Sequence, residues 1–331
     1  MPVYDLTFRG PLHLGVFRGS EREEVLEWIP SDSLFAALVY TWSQMGLPVE
    51  ERLQDSSPLL VSSLFPRAGG VRFYPAPPAL PGFARPDGAS PKSLKRIRWL
   101  SQGVFDQLRR GQTPDPAQAL LLHGRTAWIT AEEAPRVEPL LQNGRMWAAQ
   151  IVPHVTVDRS SQASNLFHTG RLSFAPGCGL WFAARGRPEW VREALPYLAD
   201  AGLGGLRSTG HGAFTWAEQP VELPLPDQNW GVCLSRFAPA SENEIILALQ
   251  NENSAYRLTT VGGWCRDSGG RAWRRRTVRL VEEGALLPSA VRGALVDVKP
   301  LEVEGWAGRM PAIIRSGLAF LVPAGALGEE A

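Results

Sequence analysis

Alternating and helical spacings of apolar residues predict the first elements of the chain. Apolar and polar residues alternate over Val3–Arg9, which predicts an opening strand. From Ser33 to Met45 the apolar residues form a broad helical stripe, and Ser31 or Asp32 is expected to cap that helix. A second helix is predicted over Pro188–Asp200, because proline suits a first helical turn and the apolar spacing is again helical.

The segments around the second helix predict a hairpin and a closing strand. Arg171–Phe174 and Leu180–Phe182 flank the turn sequence APGCG, and a strand is expected at Ala213–Trp216. Strand, helix, hairpin, helix and strand is the order of a ferredoxin-like, or RRM-like, domain. The pattern therefore predicts an α+β fold with such a domain over residues 1–220.

Residues 67–150 and the C-terminal third depart from this pattern. The first of these stretches begins with a segment rich in proline and glycine and continues into a basic one, so it is interpreted as an insertion in the first domain. The linker QPVELPLPDQ precedes a second, smaller RRM-like domain predicted over residues 228–325. Its candidate strands are Val232–Phe237, Arg257–Val261, Thr277–Val281, Ala294–Val298 and Gly317–Val322.

The loop GLGGLRSTGHG, from Gly202 to Gly212, carries five glycines among hydrogen-bond donors. Glycines that adopt positive φ can turn successive amides toward an anion, which indicates a phosphate-binding loop rather than a plain tight turn. Walker and Rossmann loops lie between a strand and a helix, whereas this loop follows a helix and precedes a strand. The predicted contacts are Gly202, Gly204, Gly205, Arg207, Ser208, Thr209, Gly210, His211 and Gly212.

Composition excludes several other classes of protein. The 331 residues are 44% hydrophobic, and no apolar run is long enough to cross a membrane. The first residues, MPVYDLTFRG, do not show the basic and then apolar pattern of a signal peptide. The chain is therefore expected to be cytoplasmic, with no membrane partner. The three cysteines are too far apart for paired metal ligands, so neither a zinc site nor a disulfide framework is expected, and no cofactor is implied.

Charge is unevenly distributed although the net charge is only +1. The stretch Arg67–Arg110 holds nine basic and two acidic residues, and Arg266–Arg279 holds six arginines against Asp267. Lysine occurs only three times, and arginine is the better partner for phosphate because it bonds bidentately. One surface is therefore expected to bind an anion, while acidic clusters elsewhere could meet a basic partner.

Several motifs together resemble one known family. WIPSDSLFAALVYTW, GLGGLRSTGHGAF, YRLTTVGGW and IRSGLAF occur in the order found in the fourth subunit of the Csm complex. That complex is the type III-A CRISPR interference ribonucleoprotein used in antiviral defence, and the subunit belongs to the RAMP superfamily. The resemblance implies a non-catalytic subunit that binds the 5′ handle of the CRISPR RNA. It also implies contacts with the large polymerase-like signature subunit and with backbone RAMP subunits.

The resemblance extends the predicted RNA contacts beyond the glycine loop, in which Arg207 would clamp a phosphate. HVTVDRSSQASNLF resembles the superfamily's DRxTxxA loop, although a surface hairpin would explain the segment equally well. A helix N-terminus can hold phosphate, which adds the serines on either side of Asp32. The further candidates are His154, Arg159, Ser160, Ser161, Ser31 and Ser33.

Two rival functions remain open at this point. A RAMP-superfamily endoribonuclease that processes repeat RNA would use a histidine as general acid or base, and the polar surroundings of His154 and His211 favour those two. His13 lies in an apolar setting typical of a core or turn residue, and Asp32 alone lacks a partner for catalysis. The other rival is a protein-only scaffold in which the glycine loop serves assembly.

Overall fold

The computed structural model describes residues 1–16, 24–78, 96–110, 112, 120–157, 164–221, 223–224, 229–266, 272–300 and 313–324. Its α-helices in these ranges are α1 (Ser31–Gln44), α2 (Val49–Leu53), α3 (Gln102–Arg109), α4 (Ala134–Val137), α5 (Pro188–Ala201) and α6 (Glu242–Leu249).

The strands up to residue 220 are β1 (Pro2–Phe8), β2 (Gly15–Val16), β3 (Glu24–Val25), β4 (Leu60–Val61), β5 (Phe65–Ala68), β6 (Val71–Pro75), β7 (Trp99–Ser101), β8 (Leu120–Leu122), β9 (Ala127–Ile129), β10 (Trp147–Val157), β11 (Ser164–Phe174), β12 (Cys178–Arg185) and β13 (Phe214–Pro220). The later strands are β14 (Trp230–Cys233), β15 (Leu258–Val261), β16 (Trp264–Arg266), β17 (Ala272–Arg274), β18 (Val278–Val281), β19 (Leu286–Pro288), β20 (Leu295–Asp297), β21 (Ile314–Ser316) and β22 (Leu321–Pro323).

A large sheet organises the part of the chain before residue 221. Among the described residues its strand order is β13-β1-β12-β5-β6-β7-β9-β8, and β4 adds to β12. Neighbouring strands are antiparallel except β7 and β9. The main hydrophobic core includes fully buried Tyr4, Phe65, Trp181 and Phe182 from these strands.

Helices α1 and α5 form where the apolar spacing predicted them and pack against each other. The α1 stripe buries Leu34, Leu38 and Trp42, and the indole Nε1 of Trp42 donates to the carbonyl of Trp190 on α5 at 3.1 Å. The predicted cap of α1 is wrong, because the N-cap is Pro30 and no side chain caps the helix. The helix begins two residues earlier than predicted, so its first turn contains the SDS sequence.

One further sequence prediction is corrected by the sheet. The strands on either side of APGCG form, but β11 pairs with β10 while β12 pairs with β1 and β5, so they do not make the predicted hairpin. In residues 67–150, the predicted insertion, β6, β7, β9 and β8 extend the same sheet. Helix α3 buries Val104, Phe105 and Leu108 there, so much of this basic stretch contributes core.

The C-terminal strands form small sheets that share the main core. Within the described part of residues 229–324, β19-β14-β22 makes a three-stranded sheet, and β15 with β18, β16 with β17, and β20 with β21 make pairs. Four predicted strands overlap β14, β15, β18 and β20, whereas the predicted Gly317–Val322 strand overlaps only β22, at Leu321 and Val322. Val232 and Phe320 belong to the main core, and Cys233 and Phe237 to a second, smaller cluster.

Candidate functional site

The glycine loop is closed at its base by two buried glycines. Gly202 and Gly212 have φ of +82° and +78°, and a Cβ on Gly212 would lie 1.9 Å from the carbonyl oxygen of Leu203. The amide of Leu203 donates to the carbonyl of Gly212 at 3.0 Å, and the amide of Gly212 donates to that of Pro11 at 2.8 Å. These two glycines therefore shape the loop, and their amides point into the protein rather than toward a ligand.

The segment Pro11–His13 supports the middle of the loop. The amide of Gly205 donates to the carbonyl of His13 at 2.9 Å, and a Cβ on Gly204 would lie 2.4 Å from that same oxygen. The Nδ1 of His13 is 2.6 Å from the carbonyl oxygen of Gly170 on β11, so this histidine bridges the loop to the β10–β11 hairpin. This contact of His13 with the loop was not foreseen by the sequence analysis.

The exposed tip of the loop presents side chains and backbone amides that a ligand can reach. Arg207–Thr209 form one turn of 3₁₀ helix, and Arg207, Ser208, Thr209 and Gly210 are exposed. Among the described residues, no acceptor receives the amides of the tip and its approach, namely Gly204, Leu206, Arg207 and Ser208. Backbone donors next to an exposed arginine form a binding surface for an oxyanion.

Arg207 lies over an aromatic ring that the sequence analysis missed. Its guanidinium carbon is 5.5 Å from the centroid of the Tyr40 ring on α1, and Tyr40 is 48% exposed. The signal was present in the helical pattern, because Tyr40 interrupts the buried stripe between Leu38 and Trp42. A cation over an exposed ring offers a phosphate partner and a stacking surface side by side.

The other two predicted side chains of the loop contact each other. The Thr209 hydroxyl donates to the carbonyl of Leu206 at 2.7 Å and lies 3.1 Å from Nδ1 of His211. His211 is half-buried, and its Nε2 is not involved in that contact. Thr209 therefore orients the imidazole at the edge of the tip.

Ser31 and Ser33 lie in a different part of the molecule from the loop tip. Ser31 is 1% exposed, its hydroxyl accepts from the amide of Arg236 at 2.8 Å, and its own amide donates to Ser63 at 2.7 Å. The hydroxyl of Ser33 accepts from Arg315 at 3.3 Å. This enclosure does not support the predicted phosphate contacts of the two serines.

Asp32 is the centre of a buried ion cluster. Its two carboxylate oxygens accept from Arg236 at 3.0 Å and from Arg315 at 3.2 Å, and its side chain is fully buried. Glu283 lies 3.6 Å from Nε of Arg236 and accepts from the Ser63 hydroxyl at 2.6 Å. A carboxylate held by two guanidinium groups inside the protein is in a structural position.

Burial and like charge act on the arginines of this cluster. Desolvation, followed by the nearby Arg315 charge, lowers the pKa of Arg275 to about 10, while Asp32 acts in the opposite sense. Desolvation also lowers the pKa of Arg315. The cluster holds more guanidinium groups than carboxylates, and it joins the first turn of α1 to the C-terminal strands.

His154 lies on the long β10–β11 hairpin, outside the glycine loop. Its half-buried ring stacks on that of Phe167 with centroids 5.4 Å apart. The hairpin also exposes Ile151, Val155 and Leu166. Arg159, Ser160 and Ser161, the other predicted contacts in this segment, lie outside the described residues.

The described residues hold neither a cluster of metal ligands nor a membrane-spanning helix. No group of three or more His, Cys, Asp or Glu side chains there could hold a metal ion. No helix in those ranges is long and apolar enough to cross a membrane.

Comparisons with known proteins now place this geometry in a family context. Residues 226–324 match the model of the CRISPR Csm4 C-terminal domain. The chain is 25% identical over 273 residues to the CRISPR system Cms protein Csm4 of Thermococcus onnurineus (strain NA1), covering 78% of this chain and 81% of that one. The expected resemblance to the Csm4 family is confirmed. A Csm4 of Streptococcus thermophilus is 24% identical over 156 residues, which are 46% of this chain and 52% of that protein.

Solved structures of Csm4 assemblies share the fold. A Csm3–Csm4 subcomplex of a type III-A CRISPR-Cas interference complex matches with a TM-score of 0.68 at 14% identity, covering 98% of this chain and 99% of the other. A Csm1–Csm4 cassette in complex with cA4 matches with a TM-score of 0.56 at 18% identity, covering 97% and 96%. The mixed α+β architecture described above is therefore that of Csm4 structures.

Proposed function

We propose that this chain is a non-catalytic, RNA-binding subunit of a type III-A CRISPR interference complex, and that the tip of its glycine loop binds the 5′ handle of the CRISPR RNA. The tip at Arg207 carries the proposal, because a guanidinium group, the ring of Tyr40 and amides without an acceptor in the described part of the chain adjoin one another at the surface. Single-stranded RNA is held by phosphate contacts and by stacking of its bases, and the tip offers both.

The architecture proposed for the chain is two ferredoxin-like domains. The antiparallel order β13-β1-β12-β5, with α1 between β1 and β5 in the chain and α5 between β12 and β13, supports the N-terminal one. For the C-terminal domain the support is the match of residues 226–324 to the Csm4 C-terminal model.

The proposed partners are the CRISPR RNA, the large signature subunit and the backbone RAMP subunits. Solved Csm4 relatives occur with Csm3 and with Csm1, which supports the protein contacts. Antiviral defence and a cytoplasmic location belong to the same proposal.

Binding of labelled handle RNA to the purified chain, followed by fluorescence anisotropy at several salt concentrations, tests the role of the loop. We expect Arg207→Ala to weaken binding roughly fivefold to tenfold and to reduce the salt slope by about one, because one phosphate contact is lost. Tyr40→Ala is expected to weaken binding by a similar factor, while Tyr40→Phe, which keeps the ring, leaves it nearly unchanged.

Arg136 provides the matched control for Arg207. It is an exposed arginine on α4 with no side-chain hydrogen bond or ion pair to the described residues, so Arg136→Ala removes the same charge from another surface. If Arg136→Ala and Arg207→Ala weaken binding equally, the loop is not the RNA site. If the wild-type chain shows no salt-dependent binding, either alone or in the assembled complex, the RNA role itself is refuted.

The non-catalytic part of the proposal has its own test. Repeat RNA incubated with the chain in the absence of divalent ions is expected to stay intact. Site-specific cleavage that His154→Ala or His211→Ala abolishes would instead establish the endoribonuclease.

A further inference from the structure

A polar cavity lies between the large sheet and the C-terminal strands, and no residue of the glycine loop lines it. It has a volume of about 450 Å³, and its lining comes from β7, from the segments around Trp28 and Arg96, and from Arg257 and Glu283 near the ends of β15 and β18. This volume is in the range of small-ligand sites in proteins. The cavity is built from parts of the chain more than 150 residues apart, so only the folded protein forms it.

The cavity wall contains indole donors that no group among the described residues satisfies. Trp99 is 3% exposed, and its buried Nε1 has no hydrogen-bond partner in that part of the chain. The same holds for Nε1 of Trp28, whose ring meets that of Trp99 edge-on at 5.8 Å. Buried N–H groups without acceptors are costly, which points to an acceptor supplied from outside the protein.

Glu283 places a buried carboxylate on the same wall. Its side chain is 4% exposed and is fixed by the Ser63 hydroxyl at 2.6 Å and by the Arg236 guanidinium at 3.6 Å. Both contacts use Oε1, which leaves Oε2 to accept from a ligand. The ion cluster centred on Asp32 therefore also positions an acceptor in the cavity.

The mouth of the cavity carries two exposed arginines, and the half-buried Glu282 also lines the cavity. Arg96 and Arg257 line it, both are exposed, and neither side chain bonds to another group among the described residues. Arg98, which also lines the cavity, holds its guanidinium carbon 5.4 Å from the centroid of the Trp28 ring. Aromatic walls with a cationic mouth suit a flat heterocycle that carries a phosphate.

We propose that this cavity binds a guanine nucleotide, either free or as one residue of an RNA strand. The base presents O6 as an acceptor beside N1–H and N2–H₂ as donors, which complements a cavity lined by both indole N–H donors and a carboxylate. The phosphate pairs with Arg96 and Arg257 at the mouth. Uracil offers one N–H between two carbonyls and adenine offers no ring N–H on that edge, so both fit less well.

Calorimetric titration of the full chain with GMP, AMP, CMP and UMP tests the free nucleotide. Anisotropy with the labelled pentanucleotides UUGUU and UUUUU tests a guanine within RNA. We expect at least one guanine ligand to bind about tenfold more tightly than its uracil counterpart, since one well-placed pair of base contacts contributes about 1–3 kcal/mol. Preference in both formats, or in the mononucleotides alone, identifies a free nucleotide as a ligand; preference in the pentanucleotides alone identifies RNA.

Variants of the cavity residues test whether a preference for guanine arises in this cavity. Trp99→Phe keeps an aromatic, though smaller, ring and removes the N–H, and Arg257→Ala removes a charge at the mouth; each is expected to weaken guanine binding about fivefold or more. Glu283→Gln should abolish the preference for guanine, but because Glu283 also holds Ser63 its result counts only if thermal unfolding is unchanged. Arg136→Ala is again the control, and it lines a different cavity.

The glycine-loop variant Arg207→Ala separates this proposal from the proposed function. Guanine preference that survives Arg207→Ala and is lost in Trp99→Phe and Arg257→Ala supports the cavity. Absence of any guanine preference, or a preference that Trp99→Phe and Arg257→Ala leave intact, refutes it, whatever the handle-binding experiment shows.

Discussion

Asp32 in the first turn of α1 accepts a hydrogen bond from Nη1 of Arg236 at 3.0 Å, across 204 residues of chain. Its other oxygen accepts from Arg315, and its side chain is fully enclosed. The SDS sequence that looked like a helix cap instead joins α1 to the C-terminal strands. It also positions Glu283 through Arg236, so the junction and the proposed nucleotide cavity share one network of charges.

Breaking this ion cluster is expected to destabilise the protein strongly. Asp32→Asn leaves Arg315 without its countercharge and Arg236 with Glu283 alone in a buried site, so urea unfolding should show a loss of about 3–5 kcal/mol. The control is Asp200→Asn, which breaks the exposed pair with Arg9 at 3.0 Å and should cost less than about 1 kcal/mol. Equal losses for the two variants would mean that the buried cluster contributes no more than a surface pair.

Substitutions at Gly210 and Gly212 test the conformation of the loop tip and the closure of the loop base separately. Both have positive φ, but a Cβ on Gly210 meets no atom within 4 Å, whereas on Gly212 it meets the carbonyl of Leu203. Gly210→Ala is therefore expected to cost about 1 kcal/mol for the backbone conformation alone, and Gly212→Ala considerably more, as measured by thermal or urea unfolding. A Gly212→Ala protein as stable as Gly210→Ala would contradict the described closure.

Buried His123 predicts a stability that depends on pH. Burial, and secondarily the charge of Arg145, lowers its pKa to about 4, and its Nδ1 accepts from the amide of Met146 at 3.0 Å. The unfolded chain binds the proton more readily, with a pKa near 6.5, so this contribution is complete above about pH 6.5 and is lost as the pH falls toward 4. The loss across that window is expected to reach about 3 kcal/mol.

Urea unfolding at pH 7, 6 and 5 measures the contribution of this histidine. In His123→Asn, which keeps an acceptor and suits the local φ of +51°, the pH dependence should become markedly shallower. The exposed His168→Asn is the control and should keep the wild-type dependence. An unchanged slope in His123→Asn would show that other groups cause it.

The cysteines are expected to differ in reactivity. Burial raises the pKa of Cys178 to about 11 and also raises that of Cys233, whereas Cys265 is only half-buried. Because the thiolate is the reactive form, Ellman's reagent at pH 8 should label Cys265 in the folded protein and the other two only after unfolding. Cys265→Ser should remove the fast reaction, and fast labelling that persists in this variant would contradict the burial of Cys178 and Cys233.

Local sequence signals predicted the elements that depend on local physics. The apolar stripe of α1, the proline at the start of α5 and the alternation in β1 are each encoded within a few neighbouring residues, and all three elements form. The glycine loop was also recognisable, because positive φ selects glycine at particular positions whatever lies around them.

Pairing between distant segments was not predictable in the same way. The hairpin expected around APGCG failed because β10, rather than β12, pairs with β11, and strand propensity does not specify a partner. The insertion at residues 67–150 became part of the large sheet for the same reason, since its strands pair along edges that exist only after folding.

By itself the sequence determined the helices and strands with strong periodicity, the glycine loop and the family to which the chain is similar. The tertiary structure decided which of those residues are enclosed in the protein and which remain exposed to a ligand. It enclosed Ser31 and Asp32, supported the loop with His13, placed Tyr40 under Arg207 and brought Trp99 to the same cavity as Glu283. Burial and charge pairing depend on distant segments that come together only in the folded protein. Helical spacing and the positive φ of glycine depend on neighbouring residues, so they can be recognised in the sequence.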